Sequence, residues 1–188
     1  MRLFLSSILL SSILALSPRT AWCINPHATL DQLKTLEILC YVPGWLPKGF
    51  KLKSVTITYD EPGPDEGSVG RFPLYYLEYS DNHGASFTID SAREGIGDRN
   101  LLDTEDSDET TISSPFGPMY LIYTPKGQGK VGRKKEIKAN WASDSNMKSE
   151  KAKGLPHPIL GRYHGFSTTN LTVAEFEKII NSLKPIRP

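Results

Sequence analysis

The side chains of this sequence best suited to chemistry are four histidines, two cysteines, one acidic run and one basic run. The acidic run "DTEDSDE" places Asp103, Glu105, Asp106, Asp108 and Glu109 at close spacing. Alternating carboxylates of this kind can hold Ca²⁺, and Asp103, Glu105, Asp106 and Asp108 are the candidate ligands. The run lacks the sixth-position glycine and twelfth-position glutamate of an EF-hand loop, so a solvated loop is the competing reading. His157 and His164 stand close enough to approach each other across a turn, which is the start of a metal site. His27 and His83 lie apart from them, and surface or turn histidines are the plainer account of all four. Cys23 and Cys40 are too few for a disulfide framework. Cys40 has no His or Arg near it in sequence to lower its pKa, so it reads as a small buried hydrophobe.

No G-x-S-x-G, H-E-x-x-H, Walker loop or paired-cysteine metal spacing occurs. "GQGKVG" (residues 127–132) has the G-x-G-x-x-G spacing without the strand–helix context that gives it meaning. The basic stretch Lys126, Lys130, Arg133, Lys134, Lys135 and Lys138 is interleaved with glycines rather than aromatics, as in a solvated connection. Asn170-Leu171-Thr172 spells a glycosylation sequon, but Thr172 is better explained as a helix cap. Tyr75, Tyr76, Tyr79, Tyr120 and Tyr123 remain, crowded on two strands. Alternation sends Leu74, Tyr76 and Glu78 to one face and Tyr75, Leu77 and Tyr79 to the other. Both faces are thus apolar, and the expectation is an aromatic strip near Tyr75 and Tyr79 that binds a protein or an apolar ligand.

The chain has 188 residues and a formal net charge of +1. That balance argues against a general nucleic-acid binder and gives no large field for steering. Arg2 followed by the apolar run Leu3–Leu16 is a secretory signal pattern, shorter than the roughly 20 residues a membrane span needs. Ala21-Trp22-Cys23 offers small residues at −3 and −1 of a cleavage site. The expected division is a signal peptide over 1–23 and one exported domain over 24–188, periplasmic or secreted, with no stable transmembrane segment.

The elements that must position these residues follow from periodicity. Leu30, Leu33, Leu36 and Cys40 share a helical face, with Thr29 as cap; Ile38 to Val42 could equally begin a strand. The Pro/Gly cluster "PGWLPKG" then turns the chain twice. Val55, Ile57 and Tyr59 alternate as a strand, and the opposite phase of Phe50 and Leu52 implies a bulge near Ser54. "LYYLEYS" and "ASFTIDS" form a hairpin around "DNHG". "TTISS", "PMYLIYT", "KEIKANWA" and "ILGRYHGFS" read as further strands. Thr172 to Glu175 is a capping box, Leu171 can staple Phe176, and Phe176, Ile179, Ile180 and Leu183 form one stripe. Pro185 is the expected stop. The fold class is α+β: an antiparallel meander of about six strands, a C-terminal helix on one face and a short N-terminal helix.

The segments "YVPGWLPKGFKLKSV", "YYLEYSDNHGASFTI", "IKANWAS" and "YHGFSTTNLTVAEFEKIINSLK" resemble the family called domain of unknown function 4367 over residues 41–184. The resemblance implies an exported bacterial protein or an extracytoplasmic part of an anti-sigma-factor-like regulator, and it supplies no catalytic residue and no cofactor. The chain departs from the pattern in having no membrane segment or cytoplasmic domain and in its long "SDSNMKSEKAKGLPHP" stretch. The function expected from sequence is a non-enzymatic binding or interaction domain of the bacterial envelope. A carrier of apolar ligands in a curled sheet, and a hydrolase, are the alternatives.

Overall fold

A computed structural model describes residues 25–36, 38–60, 72–92, 107–115, 117–124, 130–142 and 163–186. Its elements run α1 (Leu30–Leu33), β1 (Cys40–Pro43), β2 (Lys51–Asp60), β3 (Phe72–Ser80), β4 (Ser86–Ala92), β5 (Asp108–Ser114) and β6 (Gly117–Tyr123), then β7 (Lys134–Ala142), β8 (Tyr163–Leu171), α2 (Val173–Asn181) and β9 (Leu183–Ile186). The class is α+β, as the periodicity predicts. No helix among the described residues is long and apolar enough to cross a membrane.

Seven strands form the main antiparallel sheet in the order β2-β3-β4-β8-β7-β6-β5. It is therefore two meanders, β2-β3-β4 and β5-β6-β7-β8, joined where β8 pairs with β4, rather than one meander in chain order. The strands at this seam explain the order. Phe87 and Ile89 of β4 and Phe166 of β8 are fully or almost fully buried, and strands so apolar belong at the centre of a sheet. The bulge expected near Ser54 is present, because the β2–β3 register shifts between Leu52 and Ser54. The free side of β2 is partly covered by the chain's own Asn25–Ala28, with Asn25 exchanging hydrogen bonds with Ile57 at 2.9 and 3.1 Å.

One face of this sheet is the core. Ile57, Tyr75, Leu77, Tyr79, Phe87, Ile89, Phe166, Ala139, Leu121 and Met119 share it by cross-strand register, and all are buried. Helix α2 lies across it with Phe176, Ile179 and Ile180 buried. Both hydrogen bonds of the expected capping box form: Thr172 Oγ1 accepts from the Glu175 N–H at 3.0 Å, and Glu175 accepts from the Thr172 N–H at 2.9 Å.

The rest of the core face is covered by α1 and by a ribbon, β1 paired with β9, whose second strand and pairing the periodicity did not predict. The N-terminal helix is one turn, with Thr29 and Gln32 forming its own capping box. Of the two readings given to Cys40, helical stripe or the start of a strand over Ile38 to Val42, the strand is the one found: Cys40 opens β1. Pro185 does not stop α2. The helix ends at Asn181, and Pro185 pairs with Tyr41 in the ribbon.

The Pro/Gly cluster after β1 holds that helix end. Gly44 donates to the Ser182 carbonyl at 2.9 Å, Trp45 donates to Ser182 Oγ at 3.0 Å, and Lys178 Nζ sits 4.1 Å from the Trp45 ring centroid. A Cβ on Gly44 would meet the Ser182 carbonyl oxygen at 2.8 Å, so only glycine permits this approach.

Removing the cap in Thr172→Ala is expected to cost about 1 kcal/mol. Phe176→Ala should cost about 3–5 kcal/mol and Ile180→Ala about 2–5 kcal/mol. Denaturant melts of the three variants check this; equal midpoints for all three and the parent would mean that α2 is not docked.

Candidate functional site

The tyrosine strip expected at Tyr75 and Tyr79 does not exist. Their relative exposures are 2% and 5%, and the chain's own ribbon, sheet and helix cover them. Alternation placed them correctly on one face with Leu77, but that face is the core. The Tyr75 hydroxyl accepts from the Tyr41 N–H of β1 at 3.0 Å, and the Tyr75 N–H donates to Ser91 Oγ at 2.9 Å. Burial raises the Tyr75 pKa well above the ordinary phenol value, so it stays neutral.

His164 also differs from expectation. It is no turn histidine but a core residue with 1% exposure. Its imidazole stacks on Trp141 at 5.3 Å, meets Tyr41 edge-on at 5.1 Å and lies 5.8 Å from Tyr75. Neither ring nitrogen has a hydrogen-bond partner of good geometry. Burial pushes its pKa down to about 4, opposed weakly by the Leu39 backbone. His157, its proposed partner, lies outside the described residues. The parity of "YHGFS" was the available signal, since it puts His164 on the same face as buried Phe166.

Cys40 sits beside this cluster, fully buried, its sulfur 3.9 Å from the carbonyls of Leu33 and Ile38. Burial pushes the thiol up to about 12. A thiol so far from its thiolate is no nucleophile at neutral pH.

Of the acidic run, Asp103, Glu105 and Asp106 lie outside the described residues. Asp108 is half-buried at the start of β5 and faces Tyr123 across the ladder. Among the described residues, no three His, Cys, Asp or Glu side chains are grouped to hold a metal ion.

The opposite face of the main sheet offers a different set of groups. Cross-strand register aligns Thr56, Tyr76, Asp90, Gly165 and Asn140 in one row, and Ser54, Glu78, Thr88, Ser167 and Lys138 in the next. Gly165 makes room for Asp90. A Cβ there would lie 2.6 Å from one carboxylate oxygen and 2.7 Å from the other, so the carboxylate rests directly on the β8 backbone. Burial raises the Asp90 pKa, opposed by a hydrogen bond from its own backbone N–H.

Glu78 accepts from Ser54 Oγ at 3.2 Å. Tyr76 is 38% exposed, and burial together with the negative charges of Glu78 and Asp90 raises its pKa, which places the three groups within electrostatic reach. Lys138 stands on the same face two strand spacings from Thr88, roughly 10 Å. No ion pair joins it to Asp90. The face therefore holds a partly desolvated carboxylate, a second carboxylate and a half-exposed ring, and among the described residues Lys138 is not ion-paired to either acid.

No protein-family model, curated protein or solved structure matches the chain. The candidate residues accordingly rest on geometry alone. Sequence reasoning missed Asp90 because "FTID" reads as an ordinary strand; only the pairing with Gly165 shows the carboxylate pressed against backbone.

The buried thiol gives a direct check of the core face. In the folded protein at pH 8, Cys40 should resist iodoacetamide for hours and react fully once denaturant is added, as read by intact mass. Rapid labelling of the native chain would place Cys40 in an open site.

Proposed function

We propose that the chain is an exported, non-enzymatic binding domain of the bacterial envelope that engages a protein partner through the outer face of its main sheet. The observation that carries this reading is Asp90, a half-buried carboxylate on the outer sheet face that makes no ion pair among the described residues. A charge so placed is costly in the free protein, and a partner's Lys or Arg side chain would compensate it. Glu78 adds a second negative charge, and the ring of Tyr76 offers a face to the same cation. Ladders on both sides of β3, β4 and β8 hold the surface rigid, so little ordering is lost on binding. Export and bacterial origin are carried from the signal pattern over 1–23 and from the family resemblance.

The apolar-carrier reading finds less support. The space between sheet and helix that cargo would need is occupied by Phe176, Ile179 and Ile180. For a hydrolase, Asp90 and Glu78 are the polar groups from which a reaction would have to be built.

The test uses nuclear magnetic resonance titration of the mature protein with a short lysine-rich peptide and with its acetylated, uncharged counterpart. Shifts confined to β3, β4 and β8 for the charged peptide alone are expected. Asp90→Asn should weaken binding about tenfold, equivalent to about 1.4 kcal/mol, and Glu109→Gln should leave it unchanged. Equal effects of the two substitutions, or equal binding of the two peptides, would remove the site. Reproducible turnover in an esterase, peptidase and glycosidase panel, abolished by Asp90→Asn, would replace this reading with the hydrolase.

A further inference from the structure

We propose that His164 is an acid-sensitive latch: its neutral imidazole holds the β1–β9 ribbon against the main sheet, and its protonation releases the ribbon while the sheet stays folded. This inference is independent of the outer-face binding reading.

The geometry carries it in two steps. The first concerns what surrounds the ring. From β1 comes Tyr41, and from just before it the Leu39 backbone; from β3 comes Tyr75; from β4 comes Ser91, its cross-strand partner; from β7 comes Trp141, its other cross-strand partner. The titratable groups among them are the Tyr41 and Tyr75 phenols, and burial holds Tyr75 in its neutral form, as it does the Cys40 thiol that acts on Tyr75. The nearest acid in the β4 sequence, Asp90, is on the other face of the sheet. An imidazolium has two N–H donors and a full charge; among the described residues this chamber offers the Leu39 backbone to one donor and no carboxylate to either. Trp141 presents a ring face to it, which lessens the penalty without satisfying the two donors.

The second step asks which wall gives way. Tyr75 and Trp141 stand on β3 and β7, each hydrogen-bonded to a strand on both sides. Tyr41 stands on a four-residue strand whose ladder is only to four-residue β9. A two-stranded ribbon of that length has little stability of its own. It is held to the sheet by side-chain packing and by the Tyr41 N–H to Tyr75 hydroxyl bond. When the chamber must open to hydrate a charge, the ribbon is the wall of lowest local stability.

The direction with pH follows from linkage. The ring is neutral in the closed state and recovers an ordinary pKa near 6.5 once hydrated, against about 4 when buried. Closure is therefore fully favoured above about pH 6.5 and weakens as pH falls toward 4. Each pH unit in that window raises the opening equilibrium up to about tenfold, roughly 300-fold in all.

Hydrogen–deuterium exchange of the mature protein at pH 7 and pH 4.5, corrected for intrinsic exchange rates, reads this directly. Protection should fall at Cys40–Pro43 and Leu183–Ile186 while β3, β7 and β8 keep theirs, and Cys40 should become reactive to a pyridyl disulfide at pH 4.5. His164→Phe keeps an aromatic ring without a titrating group and should abolish both changes. Acid opening that persists in His164→Phe, loss of protection everywhere at once, or an unchanged ribbon in the parent would each overturn the proposal. If His164→Phe fails to fold, the imidazole proton resonances of the parent decide. A ring that stays neutral until the ribbon opens supports the latch, and one that titrates near 6.5 with the ribbon still protected overturns it.

Discussion

Phe87 is the residue on which the two halves of the sheet and the helix converge. Its ring stacks beside Phe166 at 6.4 Å, across the β4–β8 pairing that joins the β2-β3-β4 meander to the β5-β6-β7-β8 meander. Phe176 of α2 meets it edge-on at 6.3 Å, and Tyr79 lies 6.3 Å away on β3. Aromatic rings at these distances add to the burial of their own large surfaces. The seam and the helix dock are thus one cluster, and whatever loosens Phe87 weakens both. Arg133 adds a polar tie at the same end, donating to the Asn170 carbonyl at 2.9 Å beside the start of α2.

How far the fold was legible in the sequence depended on the range of the interaction. The α2 capping box, the β2 bulge and the hairpin strands rest on residues within a few positions of one another, and all are found where the pattern puts them. The ribbon is different. Cys40–Pro43 and Leu183–Ile186 are too short to show a period; the first reads equally as helix stripe or strand start, and the second as a helix stop. Only the uncovered part of the core face, which needs a lid, turns them into strands. Tyr75 and Tyr79 show the same limit on the site. Period-two alternation says which residues share a face but not which face the chain will cover. Both faces of β3 carry tyrosine, and the covered one is set by α2 and the ribbon, whose strands lie far from β3 in sequence.

A single strand fixes the chemistry of both faces. In β8, His164 points into the core while Gly165 leaves space on the other side for the Asp90 carboxylate. Desolvation acts on both groups in opposite senses: it lowers the imidazole pKa and raises the carboxyl pKa, each toward its neutral form. Neither can relieve the other. They stand on adjacent strands, but the sheet separates them, and alternation keeps them on opposite sides for as long as the register holds.

That register is what keeps the arrangement selective. A slip of β8 by one residue would exchange the faces of His164 and Gly165 and bring the imidazole beside Asp90, where the two would form an ordinary ion pair. The same slip would carry Phe166 and Thr168 out of the core and remove Phe166 from Phe87. The aromatic seam therefore holds an acid and a base apart that would otherwise neutralise each other. That Asp90 and His164 do not meet is a consequence of core packing, not of any local preference of the two residues.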